Sequence, residues 1–336
     1  MLPLIYADAF YRDIEELMVS RRIKMGVEKW TNITLFAEAY QRGYSVEADA
    51  RGRLRVSSGK RQYSWIDGAT SWNTVLAKRC TRLKEVTSRL LRSKGIHAPE
   101  NAVFNPADVE RALRWAEPIF PVVVKPSNAN QGKGVHVGVR DADAFRRAFT
   151  VVGEGWGDVL VEEFSGGVEH RVLVVNGRVV AATRRVPAFV LGDGESNIEE
   201  LAVAKSVNRG KIHKPLKIDN MVEKYLAERG LSLATVPAVG EEVALRRTSN
   251  LHTGGDAVDA TDELTSQERE FVETASKAIP GLRLGGWDVL LPRHGDGDQP
   301  TVLEVNPSPM ISMHHFPAVG ESRDAAGAIL DSMFER

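Results

Sequence analysis

The sequence has a single cysteine and no long hydrophobic run, and each scarcity excludes a class of protein. Cys80 cannot form a disulfide within the chain and is typical of a reducing compartment. No apolar run approaches the length of a membrane span, and the first residues do not follow a signal-peptide pattern. We therefore expect a cytoplasmic protein that does not act on a membrane.

An excess of charge of one sign is also missing, as are internal repeats and low-complexity tracts. The net charge of −1 creates no overall field that favours nucleic acid as a partner. With 336 residues and an ordinary share of hydrophobic residues, 43%, the chain can form two or three modest domains. Residues 1–80 carry no catalytic spacing, so we expect a small mixed lobe that helps to shape a substrate wall.

What is present centres on two apolar runs, Trp287–Leu291 and Thr301–Val305, which flank a polar connection and predict two antiparallel strands. Side chains alternate along a strand, so Glu304 and Asn306 share a face, which Asp288 can join from the partner strand. The pattern predicts two carboxylates and a carboxamide with no obvious basic partner. Such oxygen ligands suit Mg²⁺. The same pattern also fits a hairpin whose polar residues face solvent.

A second segment of interest begins with an apolar strand that ends at Lys125 and continues into a loop rich in Asn, Gln and Gly. Gly132 and Gly134 would let backbone amides approach a phosphate, and Lys133 adds positive charge. The segment is not a Walker A motif, because no GK[ST] opens a helix. A hairpin turn without function is the alternative, and the strand-borne Lys125 directly before the loop argues against it.

Several other patterns predict local structure or allow more than one role. Apolar periodicity predicts a helix over Arg82–Lys94, and Thr265 with Glu268 predicts a capping box. Asn176-Gly177 indicates a hairpin with a type I′ turn. Arg184 and Arg185 are either solvated charges or a bidentate anion clamp. His314 and His315 could suggest a metal site, but adjacent residues rarely share a ligand geometry, so a substrate or structural role is favoured.

From about Arg82 to the C-terminus, the order of these segments resembles the ATP-grasp superfamily. In particular, it resembles the ATP-grasp part of bifunctional glutamate–cysteine ligase/glutathione synthetase and of cyanophycin synthetase. The similar segments are RVPAFVLGDG (185–194), RGKIHKPL (209–216), SNLHTGGDAVDATDE (249–263) and LEVNPSPMISMHHFP (303–317). The resemblance implies an α/β (α+β) ATP-grasp fold, in which two α+β lobes, residues 81–158 and 159–336, sandwich ATP after a short pre-ATP-grasp lobe at residues 1–80.

The resemblance also implies roles for individual residues. Lys84 and Lys125 match the two lysines that bind ATP phosphates, and Gly132, Lys133 and Gly134 match the loop over the γ-phosphate. Glu162, Glu163 and Phe164 match the adenine-binding hinge, and Glu169 matches the ribose-binding carboxylate. Asp288, Glu304 and Asn306 match the Mg²⁺ ligands, and Mn²⁺ could replace Mg²⁺. Residues at the positions that hold the carboxylate, its acyl phosphate or the acceptor are Arg171, Arg185 and Asn250.

Two departures from the family pattern stand out. Several ATP-grasp ligases have an arginine two residues before the first metal aspartate, where this chain has Gly286. Arg184, Arg185 and Arg283 are the candidates to replace it. The large amino-terminal module of the relatives has no counterpart in the sequence, so neither the glutathione nor the cyanophycin reaction is assumed.

These residues predict an ATP- and Mg²⁺-dependent ligase that joins a small carboxylate to a small amine through an acyl phosphate. A glutathione-synthetase-like or specialised dipeptide ligase is the first expectation, and modification of a peptide terminus is the second. A kinase that uses the same ATP site and a non-catalytic nucleotide-binding regulator are the alternatives from other classes. A homo-oligomer is expected only by analogy with relatives.

Overall fold

The computed structural model describes residues 8–128, 134–207, 209–246, 249, 251–293 and 296–334. Its helices are α1 (Asp8–Ser20), α2 (Lys29–Gln41), α3 (Val75–Arg82), α4 (Lys84–Arg92), α5 (Val109–Ala116), α6 (Ala142–Trp156), α7 (Ile198–Ser206), α8 (Asn220–Ala227), α9 (Ser266–Lys277), α10 (Ser312–His315) and α11 (Ala325–Phe334). Within these ranges, every helix is too short or too polar to span a lipid bilayer.

The strands are β1 (Ser45–Ala48), β2 (Leu54–Ser58), β3 (Arg61–Ile66), β4 (Ala69–Thr70), β5 (Asn101–Phe104), β6 (Val122–Pro126), β7 (His136–Val139), β8 (Val159–Glu163), β9 (Val168–Val175), β10 (Arg178–Val186), β11 (Phe189–Leu191), β12 (Glu242–Ala244), β13 (Asp256–Asp259), β14 (Leu284–Leu291) and β15 (Thr301–Asn306). The mixture of helices with antiparallel sheets confirms the expected α+β class.

The chain packs as two compact units, each assembled from separate stretches of sequence. The first comprises the described residues of Met1–Trp72, Val180–Glu263 and Pro309–Arg336. The second comprises the described residues of Asn73–Val179 and Leu264–Ser308. The lobes predicted at residues 1–80, 81–158 and 159–336 remain a prediction.

The second unit contains an antiparallel sheet in the strand order β5-β8-β6-β7. Val122 and Val124 alternate toward a core that includes Phe145 and Phe149 of α6. Because side chains alternate along a strand, Lys125 of β6 points to the opposite face. The core therefore positions this lysine away from the helices.

The same unit contains the neighbouring strands β9, β14 and β15, all paired antiparallel. The predicted strands Trp287–Leu291 and Thr301–Val305 lie within β14 and β15, so this hairpin prediction is confirmed. All eight residues of β14 are buried, which is typical of a central strand. The register between β14 and β15 shifts after Asp288, where a bulge interrupts the ladder.

The predicted helix Arg82–Lys94 is wrong at its N-terminal end. The backbone at Leu83 is extended, with φ −104° and ψ 101°, and it separates α3 from α4. The missed signal is Thr74, whose side chain accepts a hydrogen bond from the Ala77 N–H and caps α3. The break makes Lys84 the first residue of α4.

Two local predictions are confirmed. Asn176 and Gly177 have φ values of 47° and 80°, as the two central residues of a type I′ turn require. The capping box of α9 forms in both directions, from Glu268 N–H to the Thr265 side chain and from Thr265 N–H to the Glu268 side chain. Short-range turn chemistry was therefore readable from the sequence.

In the first unit, the two adjacent histidines make hydrogen bonds that are typical of structural residues. The side chains of His314 and Thr183 form a 2.8 Å hydrogen bond through Nδ1 and Oγ1, whereas His315 Nε2 accepts from the Ala326 N–H at 3.0 Å. These contacts hold different elements. They favour the structural role over a shared metal site, which stays a prediction.

The His315 contact makes the stability of the fold depend on pH. Burial lowers the pKa of His315 from 6.5 to about 4, against the opposing charge of Glu38. The unfolded chain then takes up the proton first as the pH falls, so we expect the free energy of unfolding to decline from about pH 6.5 to about pH 4, by up to about 3 kcal/mol. Denaturant unfolding across this range measures it. His315→Gln should flatten the decline, and an unchanged slope would contradict the assignment.

Candidate active site

The centre of the candidate site is Asp288, which lies opposite Arg171 of β9 on one side and opposite Glu304 of β15 on the other. Residues directly opposite in an antiparallel ladder share a face of the sheet. Asn306 lies opposite Gly286, one step further along the same face. The structure thus brings together the three oxygen-bearing residues that the sequence singled out for a metal.

The expectation of no basic partner is wrong, because Arg171 holds Asp288 through two hydrogen bonds. Arg171 Nε donates to Oδ1 at 2.5 Å, and Nη2 donates to Oδ2 at 2.9 Å. Both residues are buried, with exposed fractions of 6% and 8%. The partner comes from a strand more than a hundred residues away in sequence, so spacing could not reveal it.

Burial by itself would lower the pKa of Arg171, but the nearby carboxylates outweigh it and raise that pKa. Asp288 contributes most, through its charge and its hydrogen bonds, and the charges of Glu304 and Glu169 add to it. Glu169 lies two residues before Arg171 on β9, so the two side chains share a face. The predicted ribose carboxylate therefore lies on the same face as the predicted metal ligands.

Glu304 also has a basic partner, since Lys84 Nζ lies 3.2 Å from its Oε2. The lysine side chain is 17% exposed and that of Glu304 is 40% exposed. Asp288 and Glu304 therefore each have a basic partner at this site. Across the described ranges, no cluster of three or more His, Cys, Asp or Glu side chains is arranged to hold a metal ion.

Lys125 and Glu162 form a second buried ion pair on the sheet of β6 and β8. The Nζ–Oε1 distance is 2.5 Å, and the side chains are 14% and 4% exposed. The other carboxylate oxygen of Glu162 accepts from Asn101 Nδ2 at 3.4 Å, and Asn101 in turn donates to Ser88 Oγ. The predicted phosphate lysine and the predicted hinge carboxylate are thus in direct contact.

Two N–H groups of the hinge predicted after β8 already donate hydrogen bonds. Glu163 N–H donates to Glu100 O at 2.8 Å, and Phe164 N–H donates to Pro121 O at 3.2 Å. Both N–H groups of the predicted hinge therefore donate to acceptors within the chain.

The remaining predicted site residues lie outside the described ranges, at the end of the glycine loop or on β10. Gly132, Lys133 and Asn250 lie outside the described residues. Gly134 has φ +68°, and a Cβ there would lie 2.9 Å from the Trp156 ring, so this end of the loop requires glycine. Arg185 lies on β10 in the first unit, opposite Ala257. Its role remains a prediction.

Asn73 is a positioning residue that the sequence did not reveal. Its Nδ2 donates to Leu284 O at 2.7 Å and to Pro307 O at 3.1 Å, and its Oδ1 accepts from the N–H groups of Arg283 and Leu284. One buried side chain thereby fastens the start of β14 to the end of β15. A lone asparagine in a region without motifs carries no sequence signal for this role.

The family described as the RimK-like ATP-grasp domain matches residues 81–224. The chain contains an ATP-grasp domain. A structure of a bifunctional glutathione synthetase from Pasteurella multocida superposes with a TM-score of 0.70 at 27% identity, covering 90% of this chain and 43% of that one. That coverage carries the ATP-grasp fold beyond residue 224, as the resemblance implied.

Two curated relatives are similar over most of the chain. A cyanophycin synthetase from Trichormus variabilis is 33% identical over 311 residues, which is 88% of this chain and 34% of that protein. The glutathione biosynthesis bifunctional protein GshAB from Desulfotalea psychrophila is 30% identical over 313 residues, 89% of this chain and 40% of that protein. The ATP-grasp chain thus spans well under half the length of these relatives.

Because Arg171 and Asp288 form a buried ion pair, we expect the loss of either partner to lower the stability of the fold strongly. Arg171→Met leaves a buried carboxylate without its cation, so we expect the free energy of unfolding to fall by about 3–5 kcal/mol. Adding Asp288→Asn should recover much of that loss. Chemical denaturation of the single and double variants measures both, with the exposed Arg178→Met as the control. Additive losses in the double variant would contradict the pairing.

Proposed function

We propose that the protein is an ATP- and Mg²⁺-dependent carboxylate–amine ligase, which forms an amide or peptide bond between small amino-acid-like substrates. The observation that carries the proposal is that Lys84, Lys125 and the oxygen cluster of β14 and β15 lie in one compact unit of a chain that contains an ATP-grasp domain. The named relatives are synthetases and a glutathione biosynthesis protein.

The chemistry explains why ATP is required. A carboxylate does not react with an amine at neutral pH, because its oxygen is a poor leaving group. Transfer of the γ-phosphoryl group of ATP to that oxygen forms a P–O bond and breaks the bond to ADP. Attack of the amine on the resulting acyl phosphate forms the C–N bond and releases phosphate. Catalysis of both steps is mainly positioning and electrostatic stabilisation.

The donor set at the centre of the site fits Mg²⁺. This ion prefers one or two carboxylates together with substrate phosphates over a cage made by protein alone. Asp288 and Glu304 supply two carboxylates, and Asn306 adds an amide oxygen that already accepts from Ser308 N–H at 2.9 Å. When bound, the ion would neutralise charge on the phosphate oxygens.

The remaining work falls to side chains of the chain itself. Lys84 and Lys125 would bind phosphate oxygens, and Glu169 would bind the ribose. Arg171 orients Asp288 rather than the substrate, because its guanidinium is buried and bidentate on that carboxylate. Arg171 would supply the guanidinium that is missing at Gly286, and Arg184, Arg185 and Arg283 stay the other candidates for that role. Arg185 and Asn250 are proposed to hold the carboxylate or its acyl phosphate.

Glu304 provides the sharpest test of the metal site. Glu304→Gln keeps the size of the side chain but removes the charge, so we expect ADP formation to fall at least about a hundredfold with the fold intact. ADP release and circular dichroism measure the two properties. Glu154→Gln, an exposed carboxylate change on α6, is the matched control. Turnover retained in the Glu304 variant would overturn the metal assignment.

The substrate class is tested by ADP release across a panel of carboxylates, each with and without pooled amino acids, followed by mass spectrometry. Amine-dependent ADP together with a product mass equal to condensation supports the ligase. A phosphorylated product without an amine requirement indicates a kinase. Condensation seen only with peptides would assign the modification of a peptide terminus.

A further inference from the structure

We propose that Lys84 occupies the place of the divalent metal at Glu304 in the nucleotide-free protein and transfers to phosphate oxygens when ATP binds. Metal and nucleotide would then bind cooperatively, with Lys84 as the group that couples them. This inference rests on the proposed function, because it concerns the same metal site. It assigns a coupling role to one residue that neither the family match nor the relatives assign.

The geometry supports an ion pair that can exchange. Lys84 Nζ lies 3.2 Å from Glu304 Oε2, and the carboxylate is 40% exposed, so a solvent cation can reach it. Lys84 is the first residue of α4, which anchors its backbone beside β15. A lysine has a flexible four-carbon stem and a compact charge, so its ammonium can turn from one anion to another.

The two cations of the site are not equivalent. Arg171 is 6% exposed and makes two hydrogen bonds to Asp288, so removing it would take a bidentate cation from a buried carboxylate. Within the described part of the chain, Lys84 makes one ion pair, to a carboxylate that is 40% exposed. The cation that can leave the site is therefore Lys84.

The charges at the site explain why metal binding and nucleotide binding should favour each other. Lys84 pairs with Glu304 and Arg171 pairs with Asp288, so a divalent ion that arrives alone meets carboxylates already paired with cations and is repelled by the Lys84 ammonium. Phosphate groups attract that ammonium and leave Glu304 as a negative ligand. The nucleotide therefore raises the affinity for the metal, and by linkage the metal raises the affinity for the nucleotide by the same factor.

Removing the charge at Lys84 should raise the affinity for the metal alone and lower the affinity for the nucleotide. We expect Lys84→Met to bind Mn²⁺ alone about tenfold more tightly than the unmodified protein, because the repelling ammonium is gone. We expect its affinity for a non-hydrolysable ATP analogue in saturating Mn²⁺ to fall about tenfold, because a phosphate contact is lost. The ratio of analogue affinities with Mn²⁺ and with EDTA, which measures the coupling, should shrink.

Electron paramagnetic resonance of free Mn²⁺ and calorimetric titration of the analogue measure these quantities. Lys94→Met, an exposed lysine just after α4, is the matched control and should leave both affinities unchanged. Lys84→Arg keeps the charge and should keep Mn²⁺ binding weak without nucleotide. A misfolded variant would lose both affinities, so the opposite signs separate coupling from damage.

Two results would overturn the inference, and they are distinguishable. If Lys84→Met binds Mn²⁺ alone no more tightly than the unmodified protein, Lys84 does not hold the place of the metal, while the proposed function stands. If the unmodified protein and Glu304→Gln bind the analogue equally well in saturating Mn²⁺, Glu304 is not a metal ligand. The proposed metal site then fails together with the inference.

Discussion

The site depends on the central position of β14, which pairs with β9 on one side and β15 on the other. Because opposite residues in antiparallel ladders share a face, one aspartate on β14 meets an arginine and a glutamate from strands that are distant in sequence. A shift of one residue in either register would turn Asp288 away from its partners. The buried side chain of Asn73 and the apolar residues of β14 oppose such a shift.

Two buried ion pairs, Arg171–Asp288 and Lys125–Glu162, lie on the two sheets of the same unit. Buried pairs rarely add stability over apolar residues of similar size, because desolvation offsets their attraction. In the proposed ligase, each pair would hold a charged group at the position where the nucleotide or the metal binds. Lys84–Glu304 differs in exposure, and that difference supports its role as an exchangeable pair.

The comparisons place an ATP-grasp domain within a chain that spans well under half of its relatives. The substrates and products of those longer proteins do not carry over to this chain. Its own substrate depends on the shape of its pocket. In the proposed ligase, the charges described on β9, β14, β15 and α4 would serve phosphoryl transfer. The choice of carboxylate and amine in that ligase would depend on residues such as Arg185 and Asn250, whose roles stay predictions.

The sequence by itself determined the strands that carry the metal candidates, the turn at Asn176-Gly177, the capping box of α9 and the ATP-grasp fold. These follow from short-range periodicity, turn chemistry and motif order, which are local properties of the chain. Only the tertiary structure decided the partners: Arg171 for Asp288, Lys84 for Glu304, Lys125 for Glu162, and Asn73 across two strand ends. Each contact joins residues separated by tens to hundreds of positions. Strand register, which no local pattern encodes, brings Arg171 to Asp288 and Lys125 to Glu162.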